Sequence, residues 1–231
     1  MRQRLRLGKR LFDCVCATAL ALIILPWIGW IAFNIWRQGD GPILYRAERM
    51  SGLGRSFTLY KFRTMRVACE DDIGVTGGDK LGRVTEYGAK LRRRHLDELP
   101  QLWNVIRGDI SFVGPRPPLR EFTERFPVLY EQVLWDKPGV TGLATLIYNN
   151  TEEKLLAQCV TSEETDKVYC KRCIPAKARL DLFYQRRASF ALDLWIIGTT
   201  LHQIFSKDPG CRHVQKRKSS ARSPVPLLTS N

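Results

Sequence analysis

At 231 residues the chain can bury a sizeable core, and one catalytic domain with appendages is the economical expectation. Its 37 Lys and Arg against 23 Asp and Glu give a formal charge of +14, which points to anionic partners: nucleic acid, phospholipid headgroups or phosphorylated substrates. Seven cysteines, an odd count at irregular spacing, give no sign of a disulfide framework, and Cys170-Lys171-Arg172-Cys173 lacks the second ligand pair that a structural zinc needs.

Residues 1–10 form a basic N-terminus carrying Arg2, Arg4, Arg6, Lys9 and Arg10. Residues 11–36 are almost wholly apolar and long enough for the bilayer, with a helix break expected at Pro26. The run exceeds the apolar region of a signal peptide and no small-residue cleavage site follows, so it is expected to stay on the protein. Cations also follow it, at Arg37, Arg46, Arg49 and Arg55, so the positive-inside rule gives a spanning helix no orientation. A helix that breaks at Pro26 and returns to the same leaflet satisfies both flanks. A tilted, Pro-kinked spanning helix is the alternative.

After the turn signal at residues 39–42, residues 43–45 and 57–62 have strand character, and residues 52–55 read as the loop of their hairpin. Residues 68–82, rich in Gly and Asp, read as an exposed loop. Helices are expected over about 87–94 and 99–105. An amphipathic helix interrupted by Pro127 is expected over 119–135, its apolar face directed to core or membrane. Residues 151–168, 180–184 and 190–205 read as helical, and 206–231 as a disordered basic tail. The expected fold is α+β and mostly helical: a re-entrant or single-span membrane helix, a small β-hairpin, and a helical catalytic domain over 37–205 with interfacial amphipathic helices.

The chemistry concentrates at Asp97 and Glu98. Neighbouring acids on a helix diverge by about 100°, so they cannot act as a symmetric pair, and a division of labour between attack or metal binding and orientation or proton transfer is more natural. Alone, Asp-Glu-x-Pro would read as a helix start. The surroundings alter that reading. Arg92-Arg93-Arg94 lies upstream, and downstream Gly114-Pro115-Arg116-Pro117 holds one arginine in a rigid frame suited to a diphosphate. Lys61 and Arg63, two apart on a strand, would project from one face. Acids among the arginines and few aromatic platforms argue against nucleic acid. The competing reading is a non-enzymatic basic membrane scaffold, binding anionic lipid or nucleic acid without need of Asp97 or Glu98.

Ordered blocks from Lys9 to Ile204 carry a family resemblance. They are Lys9-Arg10-Leu11-Phe12-Asp13; Pro42, Arg46 and Glu48-Arg49; Tyr60-Lys61-Phe62-Arg63-Thr64-Met65; Leu96-Asp97-Glu98-Leu99-Pro100-Gln101-Leu102-Trp103-Asn104-Val105; Gly108-Asp109; Ser111 through Pro117; Lys137-Pro138-Gly139-Val140-Thr141-Gly142-Leu143; and Leu180-Asp181 with Tyr184 and Leu192-Asp193-Leu194. Together they resemble the monotopic phosphoglycosyl transferases, the bacterial sugar transferases that initiate capsule, exopolysaccharide and glycoprotein glycans. Two departures stand out: Leu25 where the family usually has Ser before the proline, and Thr145-Leu146-Ile147-Tyr148-Asn149-Asn150 where many members carry a Gln and an Asn-Gly-Arg block.

The resemblance implies an enzyme at the bacterial inner membrane with its catalytic domain facing the cytoplasm. The residue matching Asp97 would attack the β-phosphate of a UDP-sugar, release UMP, and pass the sugar phosphate to polyprenyl (undecaprenyl) phosphate. Mg2+ is the implied cofactor, near Asp97. Glu98 would assist, and Lys61, Arg63, Arg92 and Arg116 would bind phosphate. Membrane lipids are the other implied partner, and no oligomeric state is assigned.

Overall fold

A computed structural model of the chain describes residues 2–39, 41–67, 83–159 and 161–206. The expected loop at 68–82 and the tail from 207 lie outside the described residues.

The apolar N-terminal run forms one helix, α1 (Arg2–Gln38), whose part from Leu7 to Gln38 is long and apolar enough to cross a membrane, with a mean hydropathy of 2.2 over 18 residues of it. Helical structure continues through Pro26, so the expected break is absent. Proline forfeits one backbone donor and crowds the preceding turn. Here the cost is offset by packing on both sides of it. Ala17, Ala21 and Ile24 join one cluster with Leu59, Leu102, Val105 and Ile110, and Ile28, Ile31 and Ile35 join another with Phe62 and Leu91. These positions recur every three or four residues, so one stripe of α1 lies along the body. Much of its remaining surface is exposed and apolar, including Leu22, Ile23, Trp27, Trp30 and Trp36.

Strands β1 (Leu44–Gly52) and β2 (Arg55–Phe62) pair as an antiparallel hairpin with an irregularity between Met50 and Gly52. β1 extends well beyond the three residues read as a strand. Helix α2 (Glu86–Arg93) starts at Thr85, whose hydroxyl accepts from the Gly88 N–H at 2.9 Å. A Cβ at Gly88 would lie 2.2 Å from the Thr64 carbonyl oxygen, so only glycine lets α2 approach the chain after β2 so closely. A 3-10 turn (Leu96–Glu98) and α3 (Gln101–Arg107) follow, within a few residues of expectation.

A second, parallel strand pair, β3 (Ser111–Val113) with β4 (Gly139–Thr141), was not signalled by alternation because each strand has only three residues. Between them run α4 (Arg120–Arg125) and α5 (Pro127–Val133), divided at Pro127 as the sequence suggests. Their apolar face is largely core: Tyr130, Val133 and Leu134 are buried with Met50, Cys170 and Ile174, and Phe122, Phe126 and Leu129 pack against them. Helices α6 (Leu143–Leu156) and α7 (Ser162–Val168), a π-helical turn (Tyr169–Cys173), α8 (Ile174–Arg187) and α9 (Phe190–Ser206) complete the described chain.

Several sequence blocks meet where α1 joins the body. The Lys9 ammonium donates to the Val113 carbonyl at 2.9 Å and the Tyr184 hydroxyl at 2.8 Å, and lies 2.8 Å from an Asp193 carboxylate oxygen. Tyr184 in turn donates to Asp193, and Ser111 donates to the buried Asp13 at 2.7 Å. Arg10 donates to the Val105 and Ile106 carbonyls at the end of α3. Four blocks far apart in sequence are therefore one structural clamp.

Candidate active site

The chain leaves α2 through His95, the one non-glycine residue of positive φ (55°) among the described residues. That left-handed conformation costs about 1 kcal/mol for a residue with a Cβ. It turns the chain sharply, and the next three residues form the 3-10 turn that carries both acids. Neither acid caps α3: the position before the helix is Pro100, and no side chain caps it. The helix-start reading of the pair is thus not what the geometry shows.

The two carboxylates face different surroundings. Glu98 lies 2.6 Å from the Lys61 ammonium and 3.2 Å from Arg116. Burial alone would raise its pKa, but the charges of Arg116 and Lys61 outweigh it and hold the carboxyl down at about 2. Asp97 is only 8% exposed, and among the described residues no hydrogen bond or ion pair ends on its carboxylate. Burial, then the adjacent Glu98, raises its pKa, against the opposing charges of Lys61, Arg92 and His95.

Lys61 reaches Glu98 because its strand is fixed to α3. Asn104, fully buried, accepts from the Tyr60 N–H at 3.1 Å and donates to the Thr58 carbonyl at 2.8 Å and to Asp109 at 3.0 Å. A polar residue inside the apolar run 102–106 is the sequence signal for such a lock. Arg116 is fixed differently. A Cβ at Gly114 would lie 2.4 Å from the Lys137 carbonyl oxygen, one at Gly139 2.2 Å from the Gly114 nitrogen, and one at Gly142 2.2 Å from the Gly114 oxygen. Backbone contact between these glycines holds the Pro115-Arg116-Pro117 segment against β4, with Gly139 N–H donating to the Pro115 carbonyl at 2.8 Å.

Of the other cations read from the sequence, Arg92 donates to the Thr64 hydroxyl at 2.7 Å and acts on Asp97 through its charge. Arg63 does not join the acids: its guanidinium donates to the Pro42 carbonyl at 2.7 Å. The shared face expected for Lys61 and Arg63 is lost because β2 ends at Phe62, after which strand alternation no longer applies. Arg49 emerges from the structure instead. Its Nε is buried without a hydrogen-bond partner among the described residues, and its pKa is lowered by burial and by the charge of Arg116.

Two cavities share Arg116. One, of about 140 Å³, is the more polar of the two, with Arg49, Lys177, Glu152, Asp181 and Tyr169 lining it beside apolar residues such as Phe122, Val133 and Ile174. The other, of about 470 Å³, is a largely apolar groove bounded by α1, α3, α6 and α9, and Glu98 and Arg116 line part of it. Among the described residues no three His, Cys, Asp or Glu side chains cluster as a metal cage. With Glu98 engaged by two cations, Asp97 is the carboxylate left to contact a cation.

Residues 4–207 match the family described as bacterial sugar transferase. The chain is 33% identical over 203 residues to the UDP-glucose:undecaprenyl-phosphate glucose-1-phosphate transferase of Escherichia coli, covering 87% of this chain and 40% of that protein. It is 37% identical over 153 residues to the UDP-galactose-lipid carrier transferase of Erwinia amylovora, covering 60% of this chain and 32% of that protein. With the uncharacterized sugar transferase EpsL of Bacillus subtilis it shares 34% identity over 200 residues, 85% of this chain and 86% of the relative. The chain therefore spans less than half the length of the first two relatives and most of the third.

Proposed function

Because the chain belongs to the bacterial sugar transferase family, we propose that it transfers a sugar phosphate from a UDP-sugar to polyprenyl (undecaprenyl) phosphate through a covalent intermediate on Asp97. The observation that carries this reading is the unequal state of two adjacent carboxylates. Glu98, held between Lys61 and Arg116, has its charge committed and is a poor nucleophile. Asp97, desolvated and without an ion-pair partner among the described residues, keeps its lone pairs available.

In the first step an Asp97 oxygen bonds to the β-phosphorus while the bond from that phosphorus to the bridging oxygen breaks, and UMP leaves with the electron pair. In the second, an oxygen of the lipid phosphate attacks the same phosphorus and releases the Asp97 carboxylate, so no net proton is consumed. Lys61, Arg92 and Arg116 stabilise the charge spread over the phosphoryl oxygens. Glu98 holds Lys61 and Arg116 in place. Arg49 and the polar cavity beside Arg116 suit the hydrophilic donor. A magnesium ion fits as a partner brought mainly by the diphosphate, with Asp97 its protein ligand, and would supply charge neutralisation.

The helix α1 touches the body from Lys9 to Ile35, on both sides of Pro26. A helix leaving the body to cross a bilayer would have one half free of it. We therefore read α1 as lying along the body within one leaflet of the bacterial inner membrane rather than crossing it, its exposed tryptophans and leucines toward lipid and the active site toward the cytoplasm.

The test is a panel of UDP-sugars incubated with detergent-solubilised protein and magnesium, without acceptor. One sugar should release about one equivalent of UMP and leave a sugar-phosphate mass on the peptide containing Asp97. No UMP from any donor, or release that persists in Asp97→Asn, would sink the proposal.

A further inference from the structure

The apolar groove is larger than the acceptor's phosphate needs, and its chemistry changes along it. One part is lined by Leu20, Leu102, Phe112, Leu146, Ile197 and Leu201, from four helices and β3. Another is lined by Arg93, His95, Glu98 and Arg116. The groove also contains Thr141 and Thr200, but their hydroxyls bond to each other at 2.9 Å, and Thr200 pairs with the Ile196 carbonyl at 2.7 Å. Their hydrogen-bonding capacity is used within the protein, and although Gln101, Thr145, Asn149, Asn150 and Gln203 also line the groove, most of its surface is apolar. Leu20, Leu194 and Leu201 are each more than 40% exposed, so the apolar lining runs out into the exposed apolar surfaces of α1 and α9.

We infer that this groove seats the head-proximal part of the acceptor's isoprenoid chain, with the lipid phosphate at its Arg116 end. The inference rests on the transfer reading above for the identity of the acceptor. It is carried by continuity, because one groove connects an apolar trough with the cation that also lines the polar donor cavity. It is also carried by charge, because a lipid phosphate meets Arg93 and Arg116 there. Donor and acceptor thereby approach the acids from different cavities, and a saturated donor site does not obstruct the hydrocarbon. The basic C-terminal segment beginning beyond α9 is a poorer occupant, since Lys216-Arg217-Lys218 would have to be accommodated beside an apolar trough.

Filling the trough should be felt in proportion to chain length. In Ile197→Trp and Leu146→Trp, KM for undecaprenyl phosphate should rise about tenfold or more, the scale of an altered apolar pocket, while KM for methyl phosphate, which has no chain to seat, stays within about twofold. Equal effects on both acceptors, or no effect on either, would overturn the inference. A second measurement uses the unsubstituted full chain and its Asp97→Asn variant in nanodiscs with a diazirine-tagged polyprenyl phosphate. The label should fall on peptides containing Leu146 or Ile197 and be displaced by undecaprenyl phosphate but not by phosphatidic acid. Labelling that phosphatidic acid displaces equally, or that is confined to the outer surface of α1, counts against it. A protein inert toward every UDP-sugar yet showing displaceable groove labelling would refute the transfer reading alone. An active protein without such labelling would refute the groove alone.

Discussion

Among the described residues, two clusters that bury charge are finished differently. At the α1 clamp, Lys9 meets Val113, Tyr184 and Asp193, Tyr184 also serves Asp193, and Ser111 serves Asp13, so each central group finds its partner inside the protein. At the acid turn, Glu98 is similarly saturated, but among the described residues Asp97 is not, and Arg49 has a buried Nε without a partner. A closed network spends its electrostatics on holding elements together. An open one stores unfavourable desolvation that a substrate can relieve.

The sharpest way to break this contrast is Asp97→Asn. The substitution preserves shape and removes a carboxylate that burial and Glu98 disfavour. UMP release should fall at least about a thousandfold, equivalent to about 4 kcal/mol, as for loss of a nucleophile. Thermal denaturation should show equal or higher stability. A loss of stability comparable to the loss of activity would make Asp97 a structural acid like Asp193.

Lys9→Met supplies the opposite case. It keeps much of the volume but strands Asp193, which is nearly buried, and the Val113 carbonyl. Breaking a fully buried pair costs about 3–5 kcal/mol. Since Lys9 remains 27% exposed, about 2–3 kcal/mol is expected here, read as a lowered midpoint in thermal or denaturant unfolding. Turnover per folded molecule should remain within about threefold when assayed well below that midpoint. Unchanged stability with lost turnover would reverse the roles assigned to the two clusters.

The same contrast explains what the sequence could reveal. The hairpin, α2, α3 and the division at Pro127 were legible from local periodicity and turn residues. The acids and Lys61, Arg92 and Arg116 stood out because charged residues recur in rigid or strand-like settings. Continuity through Pro26 was hidden because it depends on the body packed against both halves of α1, which no local pattern contains. The turning away of Arg63 depends on where β2 ends. Three-residue parallel strands leave no periodic trace, although the glycines that hold them were visible as motif letters. The clamp was visible only as separate blocks, whose meeting is a property of the tertiary fold.

Asp181 tests an intermediate case, because it lies in the polar cavity with only 6% exposure and no ion pair among the described residues. Lys177, which could neutralise it, lies 2.9 Å from Glu152 instead. Burial pushes the Asp181 carboxyl up to about 7, against the Lys177 charge and the Ala144 N–H. The unfolded chain releases that proton near pH ~4, so the folded state holds it more tightly between those values. Its contribution is fully present below pH ~4 and is lost as pH rises through about 7. Asp181→Asn cannot ionise and should escape the loss. Relative to the unsubstituted protein it should gain about 1–3 kcal/mol between pH ~5 and ~8, within the ~1.4 kcal/mol per unit that links pKa to stability. Differential scanning fluorimetry across that range reads the difference as diverging melting curves. Parallel pH dependences would mean that Asp181 is already neutralised in the folded protein at neutral pH, and would move the polar cavity into the same class as the closed α1 clamp.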